Sequence, residues 1–444
     1  MSLRYMLKER TRHFLVRLHR ILILLFVILI PWQIYLRVYR RIDLPLAFFV
    51  ACAGIAIIAY MGGDVKRVYL NMKWPVLGYV LMLAAISISS VMHGPHGLYD
   101  AANILGRLGI GLLILLWVGL TGSMNNDIFL RKELLIRVFL LSVFPLAIIG
   151  LMFYFAPELE IGWLRAASGI LIEADSSLTR GNVLSAYKTG VVFMNANVAG
   201  IFWGTAMWLA LWMQHQSRGA IRLVYIIVAV IFCLDVLATA SRSAMMALAG
   251  TALLSIILQA ACSPKKGWLN HKTALHTIII VVTVLSASAL EKLNVFRGGI
   301  THRIMHENAE PAGSHPLRGQ LWAHAFTVIQ EAPLLGHGVV DFASLNFPMG
   351  FPPHNSVLQV WIYGGVIAVM GFFCLFFALL FDLFRRLRHD NSLWLPIIIL
   401  TWAVIQAMFT NLPIVEPRIA MSLWLMVSLF LWSPQPSAIR QRIN

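Results

Sequence analysis

The sequence predicts an all-α polytopic membrane protein with about 12 transmembrane helices, and two observations carry this prediction. Of the 444 residues, 59% are hydrophobic and only 12% are charged, unlike an ordinary soluble domain. Apolar stretches near the roughly 20 residues that a helix needs to cross a bilayer recur from one end of the chain to the other. Because these stretches leave no room for a soluble domain of ordinary size, we expect one integral membrane domain over residues 1–444.

Hydropathy places the predicted spans along the whole chain. They are residues 21–38, 44–62, 74–92, 102–121, 135–155, 191–213, 223–239, 243–261, 276–290, 356–384, 394–411 and 418–433. The first span follows a basic N-terminal run, as the apolar part of a signal peptide would, but no small-residue cleavage site comes after it. We therefore expect this segment to be retained as a transmembrane helix.

The distribution of basic residues predicts the orientation in the membrane. With a cytoplasmic N-terminus, the inside segments hold 21 of the 35 Lys and Arg residues, and the outside loops hold 12. The positive-inside rule then places both termini in the cytoplasm, although Arg37, Arg40 and Arg41 fall in an outside loop. Two loops on the extracytoplasmic side are long, residues 156–190 and 291–355.

Composition and spacing argue against several other classes of protein and site. A net charge of +16 would suit nucleic-acid binding, but the basic residues are spread over short loops rather than gathered in a patch, so we expect no nucleic-acid partner. His302 and His306 stand four residues apart, and Glu158 and Glu160 stand two apart. Two ligands do not make a site, and no glutamate of an HExxH motif accompanies the histidines. We therefore expect neither a metal nor another cofactor.

Three arginines are candidates for binding an anionic ligand. Arg242, in "TASRSA", stands between two spans joined by almost no loop, where a charged residue is costly and usually faces a cavity or a partner. Its guanidinium could hold phosphate oxygens bidentately, or it could reach the lipid headgroups from a tight turn. Arg318 precedes a predicted short helix and could equally be a positive charge at headgroup level. Arg107 lies within a span, where it could pair with an acidic residue such as Asp235.

The short helix after Arg318 is predicted from the stretch "LRGQLWAHAFTVIQEAP". Its apolar residues recur at helical spacing, so the helix could lie along the membrane interface, and Pro333 would end it. These residues are Leu321, Trp322, Ala325, Phe326 and Ile329.

His354 is the residue best suited to proton transfer, because an unperturbed imidazole titrates near neutral pH. It stands in "FPPHNSVLQVWIYGG", behind Pro352 and Pro353, which restrict the backbone before it and so direct its side chain as the next span begins. The alternative is a loop histidine bonded to the backbone.

Three stretches together resemble the O-antigen ligase family, which includes O-antigen polymerases and protein O-oligosaccharyltransferases. They are "TASRSA", "LRGQLWAHAFTVIQEAPLLGHGVVDF" and "PPHNSVLQVWIYGG". The third matches the family pattern of His, then Asn, Ser or Gln, nine residues, then Gly, as His354, Asn355 and Gly365. "FMNANVAG" is similar to the family's Asn-x-Asn element, as Asn195 and Asn197, with alanine between them where proline is common.

The resemblance implies an inverting, metal-independent glycosyltransferase of the GT-C type in a bacterial inner membrane, with its active site facing the periplasm. The implied donor is O-antigen glycan on undecaprenyl diphosphate, and the implied acceptor is a sugar hydroxyl of lipid A-core. Arg242 and Arg318 would bind the diphosphate, and His354 would be the general base or position the acceptor. Asn355, Arg107, Asn195 and Asn197 are possible supporting residues.

Two alternatives stay open beside the ligase. The first is an O-antigen polymerase or a protein O-oligosaccharyltransferase, because these relatives share the same arginine and histidine elements. The second is of another class, a transporter or flippase for a polyprenyl-linked substrate that uses intramembrane arginines as binding groups. A loop of the length of residues 291–355 favours the enzyme over the carrier.

Overall fold

A computed structural model gives the fold of the protein. It describes residues 3–32, 35–39, 42–93, 95–124, 131–167, 196–262, 271–292, 318–410 and 415–432. The predicted loops 156–190 and 291–355 fall partly outside these ranges, as do Asn195, His302 and His306.

The described chain is a bundle of α-helices. The helices are α1 (Leu3–Trp32), α2 (Leu46–Tyr60), α3 (Val65–Met92), α4 (Pro95–Ser123), α5 (Lys132–Phe155), α6 (Pro157–Ala167), α7 (Ala196–Gln216), α8 (Gly219–Ala238), α9 (Arg242–Cys262), α10 (His271–Lys292), α11 (Arg318–Glu331), α12 (Ser356–Leu387), α13 (Trp394–Ala407) and α14 (Pro417–Trp432). Short 3₁₀ helices cover Pro348–Gly350 and Asn391–Leu393. Strands β1 (Tyr35–Tyr39) and β2 (Ile42–Pro45) pair antiparallel between α1 and α2.

The predicted spans agree with the helices of the bundle. Among the described residues, eight helices are long and apolar enough to cross a membrane, and four shorter apolar helices, α2, α10, α13 and α14, occupy the remaining predicted positions. The all-α, multi-pass prediction is therefore confirmed. The predicted bounds of the first span are wrong, because α1 runs Leu3–Trp32 and residues 35–38 belong to β1. The β-prone residues of "YLRVY" explain this change from helix to strand.

Contacts between helix ends show which of these ends lie together. Arg67, near the start of α3, donates to the carbonyl of Ser123 at the end of α4, at 3.3 Å. Arg386, near the end of α12, donates to the carbonyl of Leu431 near the end of α14, at 3.0 Å. These contacts mark one end of the bundle. The other end, which holds the starts of α7, α9, α11 and α12 and the end of α13, is called here the His354 end.

Small residues bring the helix backbones close together, as is usual between membrane helices. A Cβ on Gly78 of α3 would lie 2.7 Å from the carbonyl oxygen of Gly371 in α12, so these two helices touch along their backbones. On α7, Gly204 leaves room for the ring of Trp402 of α13. The outer faces are apolar and exposed, as lipid-facing surfaces must be; among them Leu141 is 73% exposed.

Candidate functional site

His354 is held at the start of α12 by its neighbours on both sides. Its own backbone has a positive φ of 50°, a left-handed conformation in which histidine is enriched among non-glycine residues. Asn355 is the N-cap of α12, and its side-chain oxygen accepts from the backbone N–H groups of Val357 at 3.0 Å and Leu358 at 3.1 Å. The Asn355 side-chain nitrogen donates to the carbonyl of Met408, just past α13, at 3.1 Å. The asparagine therefore fixes where the histidine stands in relation to α13.

Gly365, the last residue of the His-Asn-x₉-Gly pattern, lies at a break inside α12. Its φ of 67° and ψ of −168° are essentially restricted to glycine. The break frees backbone groups that bond to the loop after α11: Val366 N–H donates to Pro333 O at 2.9 Å, and His337 N–H donates to Ile362 O at 2.6 Å. The loop that leads to His354 is thus fastened along the first half of α12.

Arg318 is the first residue of α11, and it is half-buried. One turn later, the indole N–H of Trp322 donates to the carbonyl of Pro353 at 2.9 Å, so the start of α11 is bound to the residue before His354. The predicted amphipathic helix is confirmed. Its buried residues are Leu321, Ala325, Val328 and Ile329, whereas Phe326, predicted on the same face, is 52% exposed. The Phe326 side chain therefore points away from the bundle.

Arg242 begins α9 directly after a tight turn, which we call the Arg242 turn, residues 239–243. Ala240 in this turn has a positive φ of 48°. The hydroxyl of Ser241 donates to the side-chain oxygen of Asn197 at 2.7 Å and lies 2.9 Å from the hydroxyl of Ser243. Asn197, a predicted supporting residue, is therefore bonded to the residue next to Arg242.

The last turn of α13 lies between the segment that carries His354 and the turn that carries Arg242. A Cβ on Gly200 of α7 would lie 2.8 Å from the Cβ of Ala244 in α9 and 3.6 Å from the side-chain nitrogen of Gln406 in α13. Gln406 stands two residues before Met408, whose carbonyl accepts from Asn355. The element that carries His354 and the turn that carries Arg242 therefore meet on the same turn of α13.

Arg107 has a different environment from the one the sequence suggested. Its Nε donates to the side-chain oxygen of Asn103, one turn earlier in α4, at 3.2 Å. The carboxylate oxygens of Asp235 are buried and have no hydrogen-bond partner among the described residues. The suggested Arg107–Asp235 pair is therefore wrong; the Arg107 contact with Asn103 instead follows from their spacing of four residues on one helix face.

Sequence reasoning passed over a buried ion pair at the start of α14, also at the His354 end. Arg418 Nε lies 3.3 Å from Glu416 Oε1, and Arg418 is only 5% exposed. Two opposite charges at the lip of an apolar segment, in "VEPRIAMSL", were the available signal. Gln406 was also missed, because one glutamine inside an apolar span has no distinctive pattern.

A metal ion would need several His, Cys, Asp or Glu side chains close together. Within the part of the chain that the structure describes, no three His, Cys, Asp or Glu side chains gather as metal ligands would. Glu158 and Glu160 both lie on α6.

Comparison with known proteins shows which proteins the chain is similar to. The family model described as O-Antigen ligase matches residues 227–373, a segment that contains Arg242, Arg318, His354 and Gly365. The chain is 29% identical over 252 residues to an O-antigen ligase of Pseudomonas aeruginosa, covering 54% of this chain and 55% of that protein. Over this segment the chain is similar to the O-antigen ligase family. The resemblance stated from the motifs is thereby confirmed.

A second relative within the O-antigen ligase family is more distant. It is an O-antigen ligase of Salmonella typhimurium, 22% identical over 186 residues, which cover 39% of this chain and 42% of that protein. The alignments thus span about half the length of the curated O-antigen ligases that the chain matches. The family model matches the region that runs from α8 into α12, where the arginine and histidine elements lie.

Proposed function

We propose that this protein transfers O-antigen glycan from undecaprenyl diphosphate to a sugar hydroxyl of lipid A-core, as an inverting and metal-independent glycosyltransferase. The observation that carries the proposal is that Arg242, Arg318 and His354 stand at one end of the bundle, on elements joined by hydrogen bonds and close packing. The positive-inside distribution of Lys and Arg supports a periplasmic position for this end and cytoplasmic termini.

The two arginines would supply the electrostatic part of catalysis. When the glycan leaves undecaprenyl diphosphate, negative charge grows on the diphosphate, and prepositioned cations stabilise that charge where it develops. Guanidinium groups suit this role because they hold phosphate oxygens bidentately and stay protonated. Arg242 and Arg318 would in this way take the part that a metal ion plays in other enzymes.

His354 would act on the acceptor. A sugar hydroxyl is a weak nucleophile until its proton is removed, and a general base in hydrogen-bond reach contributes typically about 10²- to 10⁴-fold. The position of His354, fixed by the Asn355 cap and by Trp322, suits a group that must meet the hydroxyl in one orientation. The polyprenyl tail of the donor needs only an apolar path beside the site, and the lipid-facing helix surfaces offer one.

The test is glycan transfer by the purified protein in liposomes, with lipid-linked O-antigen as donor and rough lipopolysaccharide as acceptor. We expect His354→Ala to lose about 10²- to 10⁴-fold in rate. Arg242→Ala and Arg318→Ala should each lose about 10²- to 10³-fold. Matched controls from the opposite end of the bundle are His389→Ala and Arg67→Ala, which should transfer like the wild type. Wild-type transfer by the His354 variant would remove its proposed role.

Two further conditions of the same assay separate the alternatives. Transfer that persists in EDTA supports the metal-independent mechanism, and loss of transfer in EDTA contradicts it. Glycan chain growth without lipid A-core acceptor would indicate an O-antigen polymerase, and label on an added protein acceptor would indicate a protein O-oligosaccharyltransferase. Movement of the lipid-linked substrate across the bilayer without any transfer would indicate a flippase.

A further inference from the structure

Gln406, in the last turn of α13, is fully buried, with none of its surface exposed. Neither its side-chain nitrogen nor its side-chain oxygen has a hydrogen-bond partner among the residues that the structure describes. A buried polar group without a partner is unfavourable for folding, and replacing it by an apolar group of the same shape is neutral or stabilising. The folded state therefore gains no visible stability from this amide.

The surroundings of the amide suggest what it does. The Gln406 nitrogen and the Thr239 hydroxyl each lie 3.6 Å from the place where a Gly200 Cβ would be, so the amide borders the Arg242 turn. Thr239 accepts from the Ser241 N–H at 3.3 Å within that turn. An amide offers two donors and one acceptor, and here it offers them at the junction of α7, α13 and the turn.

The other side of the same turn of α13 is held by the segment that carries His354. The Thr410 hydroxyl donates to the Gln406 carbonyl at 2.9 Å, and the Thr410 carbonyl accepts from the Ser356 hydroxyl at 3.4 Å. Asn355 donates to the carbonyl of Met408 beside them. Gln406 is thus a buried polar side chain between the His354 segment and the Arg242 turn.

We propose that Gln406 is a positioning residue for glycosyl transfer, whose side-chain amide hydrogen-bonds the Arg242 turn when the diphosphate donor is bound. The strained backbone at Ala240 is the part of the turn that can rearrange to meet the amide. Because α13 contacts both the Arg242 turn and the His354 segment, it then fixes the distance between Arg242 and His354. This inference rests on the proposed function, in which Arg242 binds the diphosphate of the donor.

The test compares Gln406→Met with a matched control, Gln214→Met. Gln214 is also buried, but it lies at the opposite end of the bundle and its side-chain oxygen lies 3.1 Å from Nε2 of His276. Each purified variant is assayed for melting temperature in detergent, and for the kcat and the donor and acceptor KM of transfer to rough lipopolysaccharide.

We expect Gln406→Met to melt at or above the wild-type temperature while its catalytic efficiency toward the donor falls by up to about 10²-fold, the scale of a small displacement in an active site. Its acceptor KM should not change. Gln214→Met should melt lower and keep wild-type transfer per folded molecule. Restoring an amide at the same position with Gln406→Asn should recover part of the donor efficiency.

Two negative outcomes are distinguishable. If the wild type transfers glycan and Gln406→Met does so equally well, the positioning role is rejected and the proposed function stands. The role is rejected in the same way if transfer falls only in proportion to the loss of folded protein. If the wild type itself transfers no glycan to any acceptor, the proposed function fails, and this inference fails with it.

Discussion

Substitution of Gly365 tests whether the loop after α11 and the helix α12 stabilise each other. Alanine at this position would adopt φ 67° and ψ −168°, a conformation that costs about 1–3 kcal/mol for a residue with a Cβ. The new Cβ would also meet the peptide between Leu334 and Leu335, with the Leu335 nitrogen at 2.5 Å, and such overpacking typically costs another 1–3 kcal/mol. Gly365→Ala should therefore destabilise the protein by about 2–6 kcal/mol, a large part of the roughly 5–15 kcal/mol that stabilises a typical fold.

The assay is the melting of the detergent-solubilised protein, followed as loss of the monodisperse species on heating, together with hydrogen exchange at the amides of His337 and Val366. Both amides bond across the junction, so both should lose protection in Gly365→Ala. The control is Gly109→Ala in α4, where a Cβ would have no atom within 4 Å and where alanine favours the helix by up to about 1 kcal/mol. Wild-type melting and protection in Gly365→Ala would refute the reasoning.

Three other substitutions test single contacts. Asn355→Ala removes both the cap of α12 and the bond to Met408, whereas Asn355→Ser keeps a capping oxygen and loses only the bond to Met408; the alanine variant should therefore be less stable than the serine variant by about 0.5–2 kcal/mol, and equal melting would contradict the capping role. Asp235→Leu removes a buried carboxyl group that has no partner in the described chain, so it should raise the melting temperature; a lower one would show that the carboxyl has a partner. Trp322→Phe removes the bond to Pro353 and also makes the ring smaller, so transfer should fall by more than the loss of folded protein accounts for; a loss of transfer that only follows the folded fraction would mean that the tryptophan only packs.

Hydropathy predicted the positions of the helices because a membrane span needs a long apolar stretch, whatever its neighbours are. The same signal says little about how a span begins and ends, which is why the change from α1 to a β-hairpin after Trp32 was missed. Helical spacing predicted α11, but the spacing alone does not show which apolar residues of this helix pack against the bundle, and Phe326 stays exposed.

In the candidate site, too, the sequence predicts some of the residues and not others. His354, Arg242 and Arg318 could be chosen because charged and titratable residues are expensive at the edge of an apolar span. The role of Asn355 as a cap that also reaches Met408 could not be predicted, since the second contact joins residues 53 positions apart. Gln406 has no sequence signal at all, and only the packing around Gly200 makes it a candidate.

The four elements of the site share one further property that supports an anionic ligand. Arg242 and Arg318 are the first residues of their helices, Asn355 caps α12, and Asn197 lies in the first turn of α7. Helix N-termini carry a partial positive charge, which attracts phosphate. The two guanidinium groups therefore stand where the backbone already favours negative charge, whereas the opposite ends of α7, α9 and α12 offer carbonyl groups instead. Under the proposed function, a diphosphate bound at the His354 end would interact with the charges of the side chains and of the helices together, so the loss of either arginine should weaken donor binding.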